Sequence, residues 1–222
     1  MRTQLAGEEV EFRPDGTLFW PSESSLFVAD IHLGKGASFR SQGLPVPPGS
    51  TLATLEKLSL SLDSGVQRLI ILGDLWHARQ GKTAEAVEQF LSWRSRVWVE
   101  IMLVEGNHDR KSGQLPVGSD IQTVPDGAAV GPFRLRHEPE PMDEGHVLAG
   151  HLHPGYGLDG RGRQSMTVPC FWITPGVTVL PSFGTFTGCS RIRPSESDRV
   201  IVTTGSECRE VPISRLAESS SC

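Results

Sequence analysis

The sequence predicts an α/β protein whose second half adds a further β-sheet. Three observations carry that prediction. Short runs of aliphatic and β-branched residues recur and end abruptly in Asp, Asn, His or Gly. Two segments of helical periodicity lie between the first three runs, and after residue 165 the pattern changes to strand-like runs divided by Pro and Gly.

The first run, Leu26 to Ala29, stops at Asp30, as a buried strand does when its carboxyl end opens onto a site. Ser50 to Asp63 carries Leu52, Leu55, Leu58 and Leu62 at helical spacing, with Ser50 or Thr51 as the candidate cap. Leu69 to Leu72 then leads to Gly73-Asp74. Thr83 to Arg94 repeats the helical period with Ala86, Val87, Phe90 and Leu91, and Ile101 to Val104 precedes Gly106-Asn107-His108-Asp109. A shorter run, Phe133 to Arg136, leads into His137, and Val147 to Ala149 into Gly150-His151. The order strand, helix, strand, helix, strand requires crossover connections. The later runs, Thr167 to Ile173, Val177 to Leu180 and Val200 to Thr204, are expected to form a second sheet packed on the first.

A chain of 222 residues can bury a sizeable core, and a single domain over 1–217 is expected, with 218–222 a frayed tail of low complexity. No run approaches the roughly 18 apolar residues of a membrane span, and the first residues lack the apolar centre of a secretory signal, so the expected address is the cytoplasm, with no membrane partner. Cys170, Cys189, Cys208 and Cys222 are widely spaced without a C-x-x-C pair, which reads as reduced thiols rather than a zinc site or a disulfide framework. The formal charge of −5 does not suggest non-specific nucleic-acid binding, so a nucleic-acid substrate would need a local basic groove. Lys35 with Arg40, Arg79 with Lys82, Arg110 with Lys111, and Arg161 with Arg163 are candidates for one, or are simply solvated.

Chemistry concentrates at the strand ends. Asp30-Ile31-His32 sets a carboxylate and an imidazole two residues apart, on the same side if the strand continues through them. Gly73-Asp74 offers a carboxylate after a glycine that lets the backbone turn sharply, and His77 follows three residues later. Gly106-Asn107-His108-Asp109 presents an amide oxygen, an imidazole suited to proton transfer near neutral pH, and a carboxylate that could orient it. Gly150-His151-Leu152-His153 adds two imidazoles, a frequent ligand type for Zn, Mn and Fe. Each motif alone also reads as a strand-ending turn. Together they hold five of the seven histidines at strand ends, which points to a metal site. Trp76 and Trp172 could stack on a base or belong to the core.

Taken in order, D-x-H at Asp30, G-D at Asp74, G-N-H-D at Asn107, His137, and G-H-x-H at His151 resemble the calcineurin-like metallophosphoesterase superfamily. Leu18-Phe19-Trp20-Pro21, Val28 to Lys35, Gly43-Leu44-Pro45-Val46-Pro47, Arg136-His137-Glu138-Pro139 and Leu180-Pro181-Ser182-Phe183-Gly184 are similar to the bacterial ligase-associated DNA-damage-response endonucleases of the PdeM family. The likeness covers most of the chain. It implies a metallophosphoesterase sandwich of two mixed β-sheets flanked by helices, in α/β/β/α layers, with a binuclear metal site at strand ends. It assigns Asp30, His32, Asp74 and His153 to one ion and Asp74, Asn107, His137 and His151 to the other, with Asp74 bridging and His146 competing with His137. His108 falls at the position of the histidine that contacts phosphate and protonates the leaving group, with Asp109 orienting it. His77 and Arg110 are expected behind the ligands or beside the substrate, with a merely structural role as the alternative for His77.

The implied cofactor is two divalent ions, expected to be Mn2+, with Fe or Zn as alternatives, because the donors are oxygen and imidazole without thiolate. The implied substrate is single-stranded or damaged DNA, and the implied partner a DNA ligase or helicase repair complex. Two rival readings share the motifs: a small-molecule phosphatase or cyclic-nucleotide phosphodiesterase, and a non-catalytic module for partner binding. No G-x-x-x-x-G-K-S/T loop and no Ser nucleophile elbow is present, so ATP-driven and acyl-enzyme chemistry have no support.

Overall fold

A computed structural model of the chain describes residues 1–159 and 165–213. The tail expected at 218–222 and the basic pair Arg161 and Arg163 lie outside them. The first sheet takes its strands in chain order: β1 (Arg2–Leu5), β2 (Glu8–Phe12), β3 (Leu18–Trp20), β4 (Ser25–Val28), β5 (Arg68–Ile71), β6 (Glu100–Val104) and β7 (Gln122–Val124). The pairs from β1 to β4 are antiparallel and those from β4 to β7 parallel. The expected crossovers are present: α2 (Ser50–Ser61) joins β4 to β5 and α3 (Ala84–Arg94) joins β5 to β6. Two short helices, α1 (Lys35–Ser41) and α4 (Asn107–Ser112), follow β4 and β6 directly.

Pleating divides the residues of each central strand between two cores. Leu26 and Val28 of β4, with Leu69 and Ile71 of β5, pack under Leu55 and Leu58 of α2 and Phe90 and Trp93 of α3. Phe27 and Ile70 point the other way, into the layer between the sheets. The period of α2 is displaced from the leucine series, since Leu52 is exposed and the buried face is Thr51, Thr54, Leu55, Leu58 and Ser61. Neither Ser50 nor Thr51 caps that helix. Gly49 occupies the cap position with φ 97°, and the Thr51 hydroxyl instead accepts from the Gly34 amide at 3.2 Å. Thr83 does cap α3, accepting from the Ala86 amide.

The second sheet contains β8 (Ala128–Val130), β9 (Phe133–Leu135), β10 (His146–Ala149), β11 (Pro154–Asp159), β12 (Ser165–Thr174), β13 (Val177–Val179) and β14 (Ser190–Arg191). To these β15 (Arg199–Thr203) adds along the second half of β12, and β16 (Cys208–Val211) adds to β15. The sheet is mixed, because β10 runs parallel to both β9 and β13. It packs face to face on the first sheet through edge-to-face rings, Phe12 on Phe171 at 4.8 Å and Trp20 on Phe133 at 5.1 Å. A parallel bridge between Ala29 and Ser182 fastens the two sheets beside the end of β4. Among the described residues no helix is long and apolar enough to cross a membrane, and Cys170, Cys189 and Cys208 are free thiols.

The registers position the site. Val28 pairs with Ile71 and Ile71 with Leu103, so three parallel strands finish level and release Asp30, Asp74 and Asn107 at one edge. Ala149 of β10 ends beside Val179, delivering His151 and His153 from the opposite sheet.

Candidate metal centre

The strands stop before the polar residues, and the backbone changes hand there. Asp30, His32, Asp74, His151 and His153 all have positive φ, between 47° and 71°. This left-handed conformation strains a non-glycine residue, and its concentration in one place marks a site that the surrounding fold holds in place. Asp30 and His32 therefore do not share a side through the strand pleat, which ends at Val28. Two left-handed residues flanking Ile31 bring them together while Ile31 stays in the core.

Glycines supply the space. A Cβ on Gly73 would overlap the His137 ring, one on Gly106 would overlap the Asp74 carboxylate, and one on Gly150 would lie 2.6 Å from Asp30 Oδ2. Gly73 is needed for its positive φ and for the histidine it admits from β9's end.

The side chains converge as two adjoining groups. In one, His32 Nε2 lies 3.2 Å from His153 Nε2, and His153 Nε2 lies 3.3 Å from Asp30 Oδ1. In the other, His137 Nε2 lies 3.0 Å from Asn107 Oδ1 and 3.1 Å from His151 Nδ1. Asp74 stands between them: its Oδ1 is 3.5 Å from His137 Nε2 and its Oδ2 is 3.8 Å from His32 Nε2. His146 is elsewhere, hydrogen bonded to Thr178 Oγ1 at 2.8 Å, so the structure brings His137 and not its competitor to the cluster.

His108 and His77 close one side. The His108 ring stacks on His77 at 4.8 Å, its Nδ1 donates to the His77 carbonyl, and its Nε2 is 3.9 Å from Asp74 Oδ2. Asp109 does not orient that ring, a correction to the sequence reading. Its buried carboxylate accepts from the Trp76 and Gly106 amides at 3.0 and 3.1 Å, fastening the turn before α4 to the loop after β5. The amides of a tight turn outcompete an adjacent side chain because they are already held in place. Arg110, expected beside the substrate, is exposed and donates to the Glu105 carbonyl. The tryptophans belong to the body of the fold, Trp76 fully buried against Phe90 and Trp172 half-buried with its Nε1 on Asp198.

No family model matches the chain, and no curated protein does either. Among solved structures, the Pseudomonas putida nuclease MPE matches it with a TM-score of 0.82 and 36% sequence identity, over 95% of this chain and 99% of that one. The chain belongs to the family of that nuclease.

In this member of the nuclease MPE family, burial dominates the electrostatics of the cluster. It pushes His32 down to about 2, helped by the neighbouring His153, Lys35, His108 and His77. It also lowers His77 to about 4 and raises the Asp74 carboxyl, against the pull of His137. His32 is thus a neutral imidazole with a lone pair to offer. The donor set fits divalent cations. Ligand atoms at about 2.1 Å from an ion and at right angles lie about 3 Å from one another, which is the spacing of these nitrogens and oxygens. Asp30 Oδ1 is buried without a hydrogen-bond partner, a costly state that a cation relieves. Groups that could hold an ion are Asp30, His32 and His153; Asp30, Asp74 and His137; and His32, His77 and His108.

Lys35, named from the sequence only as one of a basic pair with Arg40, is half-buried, its ammonium lowered by burial and supported by Asp30. Sequence reasoning passed over Phe39 and Phe186, whose rings reach the cluster through His77. Only their positions in space connect them to the site.

Proposed function

We propose that this chain is a metal-dependent phosphodiester hydrolase that cuts DNA internally, a metallophosphoesterase of the calcineurin-like superfamily, and of the PdeM family within it. The observation that carries the reading is Asp74, whose two carboxylate oxygens face separate groups of imidazoles. In this reading Asp30, His32, Asp74 and His153 hold one divalent ion, and Asp74, Asn107, His137 and His151 the other, with Mn2+ favoured by a donor set free of thiolate. Membership in a nuclease family supports a nucleic-acid substrate over a small phosphate ester.

A divalent pair supplies Lewis acidity toward phosphoryl oxygens and lowers the pKa of an attacking water. The chain's own residues do the rest. His108, committed through Nδ1 to a carbonyl that can only accept, presents Nε2 to the cleft and, when its ring is protonated on both nitrogens, delivers the Nε2 proton to the departing oxygen and returns to the neutral Nδ1–H form. His77 is neutral and stacked on His108, and so limits rotation of that ring without adding a like charge. The repair setting, the ligase or helicase partner and the cytoplasmic address rest on the sequence resemblance and composition alone.

The decisive experiment is a substrate panel with Mn2+, Fe2+, Zn2+ or Mg2+: a phosphomonoester, a small diester, and single-stranded and duplex DNA and RNA. Cleavage within single-stranded DNA that disappears with chelator is expected. Turnover confined to the monoester or the small diester overturns the nuclease reading.

A further inference from the structure

We propose that Phe186 and Phe39 form a base-stacking platform beside the metal centre, which grips an unpaired nucleobase next to the phosphate being cut. The inference rests on the nuclease reading above and names how that site would select single-stranded nucleic acid.

The rings leave the cluster in an unbroken sequence. His77 stacks on His108, Phe39 meets the His77 ring at 5.7 Å, and Phe186 meets Phe39 at 5.9 Å, the last two contacts edge to face. Burial falls along the way, from His32 at 5% exposure to half-buried Phe39 and to Phe186 at 41%. A phenyl ring so exposed gives up hydrophobic stabilisation, which is recovered if a flat apolar partner covers it. Lys35 Nζ lies 6.0 Å from the Phe39 ring centre and supplies a cation between platform and metal centre.

The segment carrying Phe186 is anchored to the site itself. The Phe183 amide donates to the Ala29 carbonyl at 2.9 Å and the Gly184 amide to the Asp30 carbonyl at 3.2 Å. A Cβ on Gly184 would lie 2.5 Å from the Ile31 carbonyl oxygen, so the approach requires glycine. Thr185 is held by the Thr54 hydroxyl, Oγ1 to Oγ1 at 2.9 Å, and Lys57 holds the Phe183 carbonyl at 3.0 Å. A loop fixed to the backbone of Asp30 keeps Phe186 at a constant place relative to the metal-binding edge, as a substrate platform must be. Aromatic platforms stack any base, whereas a duplex keeps its bases stacked on one another and out of reach.

The test compares a single-stranded oligonucleotide with an abasic oligonucleotide of the same length, using Mn2+-loaded wild type, Phe186→Ala, Phe186→Trp and Trp98→Ala. Trp98 is 94% exposed and stands outside this line of rings, so it controls for loss of a surface aromatic. The wild type should prefer the base-bearing strand by about tenfold in KM, Phe186→Ala should lose that preference, and Phe186→Trp should restore it. Unchanged melting of Phe186→Ala shows that the fold is intact. A nuclease whose preference survives Phe186→Ala, or is lost equally in Trp98→Ala, overturns the platform and leaves the nuclease reading standing. A wild type that hydrolyses a small diester but neither strand overturns both.

Discussion

The Nδ1 of His108 is 2.5 Å from the main-chain carbonyl oxygen of His77. A carbonyl only accepts, so Nδ1 carries a proton, and the other nitrogen, Nε2, is the one turned to Asp74 and the cleft. The arrangement is that of an imidazole oriented by its second nitrogen, with peptide oxygen in place of carboxylate.

His108→Ala is therefore expected to leave metal content intact and to slow cleavage of a nucleic-acid diester by roughly 10² to 10⁴-fold, with a much smaller loss on an activated aryl diester that needs no proton. Rate constants on both substrates, alongside metal analysis, check this. Equal losses on the two would assign His108 to the phosphoryl oxygens instead.

Asp74 faces both groups of imidazoles, so on the two-ion reading proposed above Asp74→Asn should reduce bound metal from two ions to one or none and abolish metal-dependent turnover. Near-normal activity with two ions bound would remove it from the bridging position.

Asp109 acts through backbone. Asp109→Ala leaves the buried Trp76 and Gly106 amides without their acceptor, at about 1 to 3 kcal/mol for each unsatisfied group. For a chain of this size a loss of that order lowers Tm by several degrees, at roughly 2 to 4 °C per kcal/mol. Activity should fall with it because the turn that presents Asn107 and His108 loosens. A normal Tm with low activity would instead make Asp109 a direct participant.

Gly106→Ala separates space from backbone strain. Its φ of −80° suits any residue, yet a Cβ would overlap the Asp74 carboxylate. The variant is expected to fold and to bind metal far more weakly than wild type in a metal titration. Undiminished affinity would mean that Asp74 can move aside without consequence.

Metal uptake should strengthen as pH rises. Burial raises the Asp74 carboxyl in the metal-free protein, so below that raised value a cation must displace a proton, and binding releases one. His32 and His77, lowered to about 2 and about 4, are neutral throughout the neutral range and release none. Calorimetry in two buffers of different ionisation heat counts the protons. Affinity should begin to fall on acidification at a pH above the free-carboxylate value near 3.9. An affinity that stays flat down to that value would show that Asp74 is already ionised.

Much of this protein is written locally. The apolar runs ending at Asp30, Asp74, Asn107 and His151 announce strands that open onto a site, because a buried strand needs apolar residues and a cation needs oxygen and nitrogen donors. The helical period over 83–94 is equally plain. The N-terminal meander was passed over, although the alternation Glu9-Val10-Glu11-Phe12, with Val10 and Phe12 fully buried, carried the signal. Only the tertiary structure chose His137 over His146, since both lie near strands and the choice depends on which end of which strand meets Gly73. It alone gave His108 a carbonyl rather than Asp109, and placed Phe39 and Phe186, 147 positions apart by number, in contact. Pattern along a chain reports what a segment can bury or coordinate. Which groups then meet is decided by strand register, backbone hand at five strained residues and the room left by three glycines, none of which is a property of any segment alone.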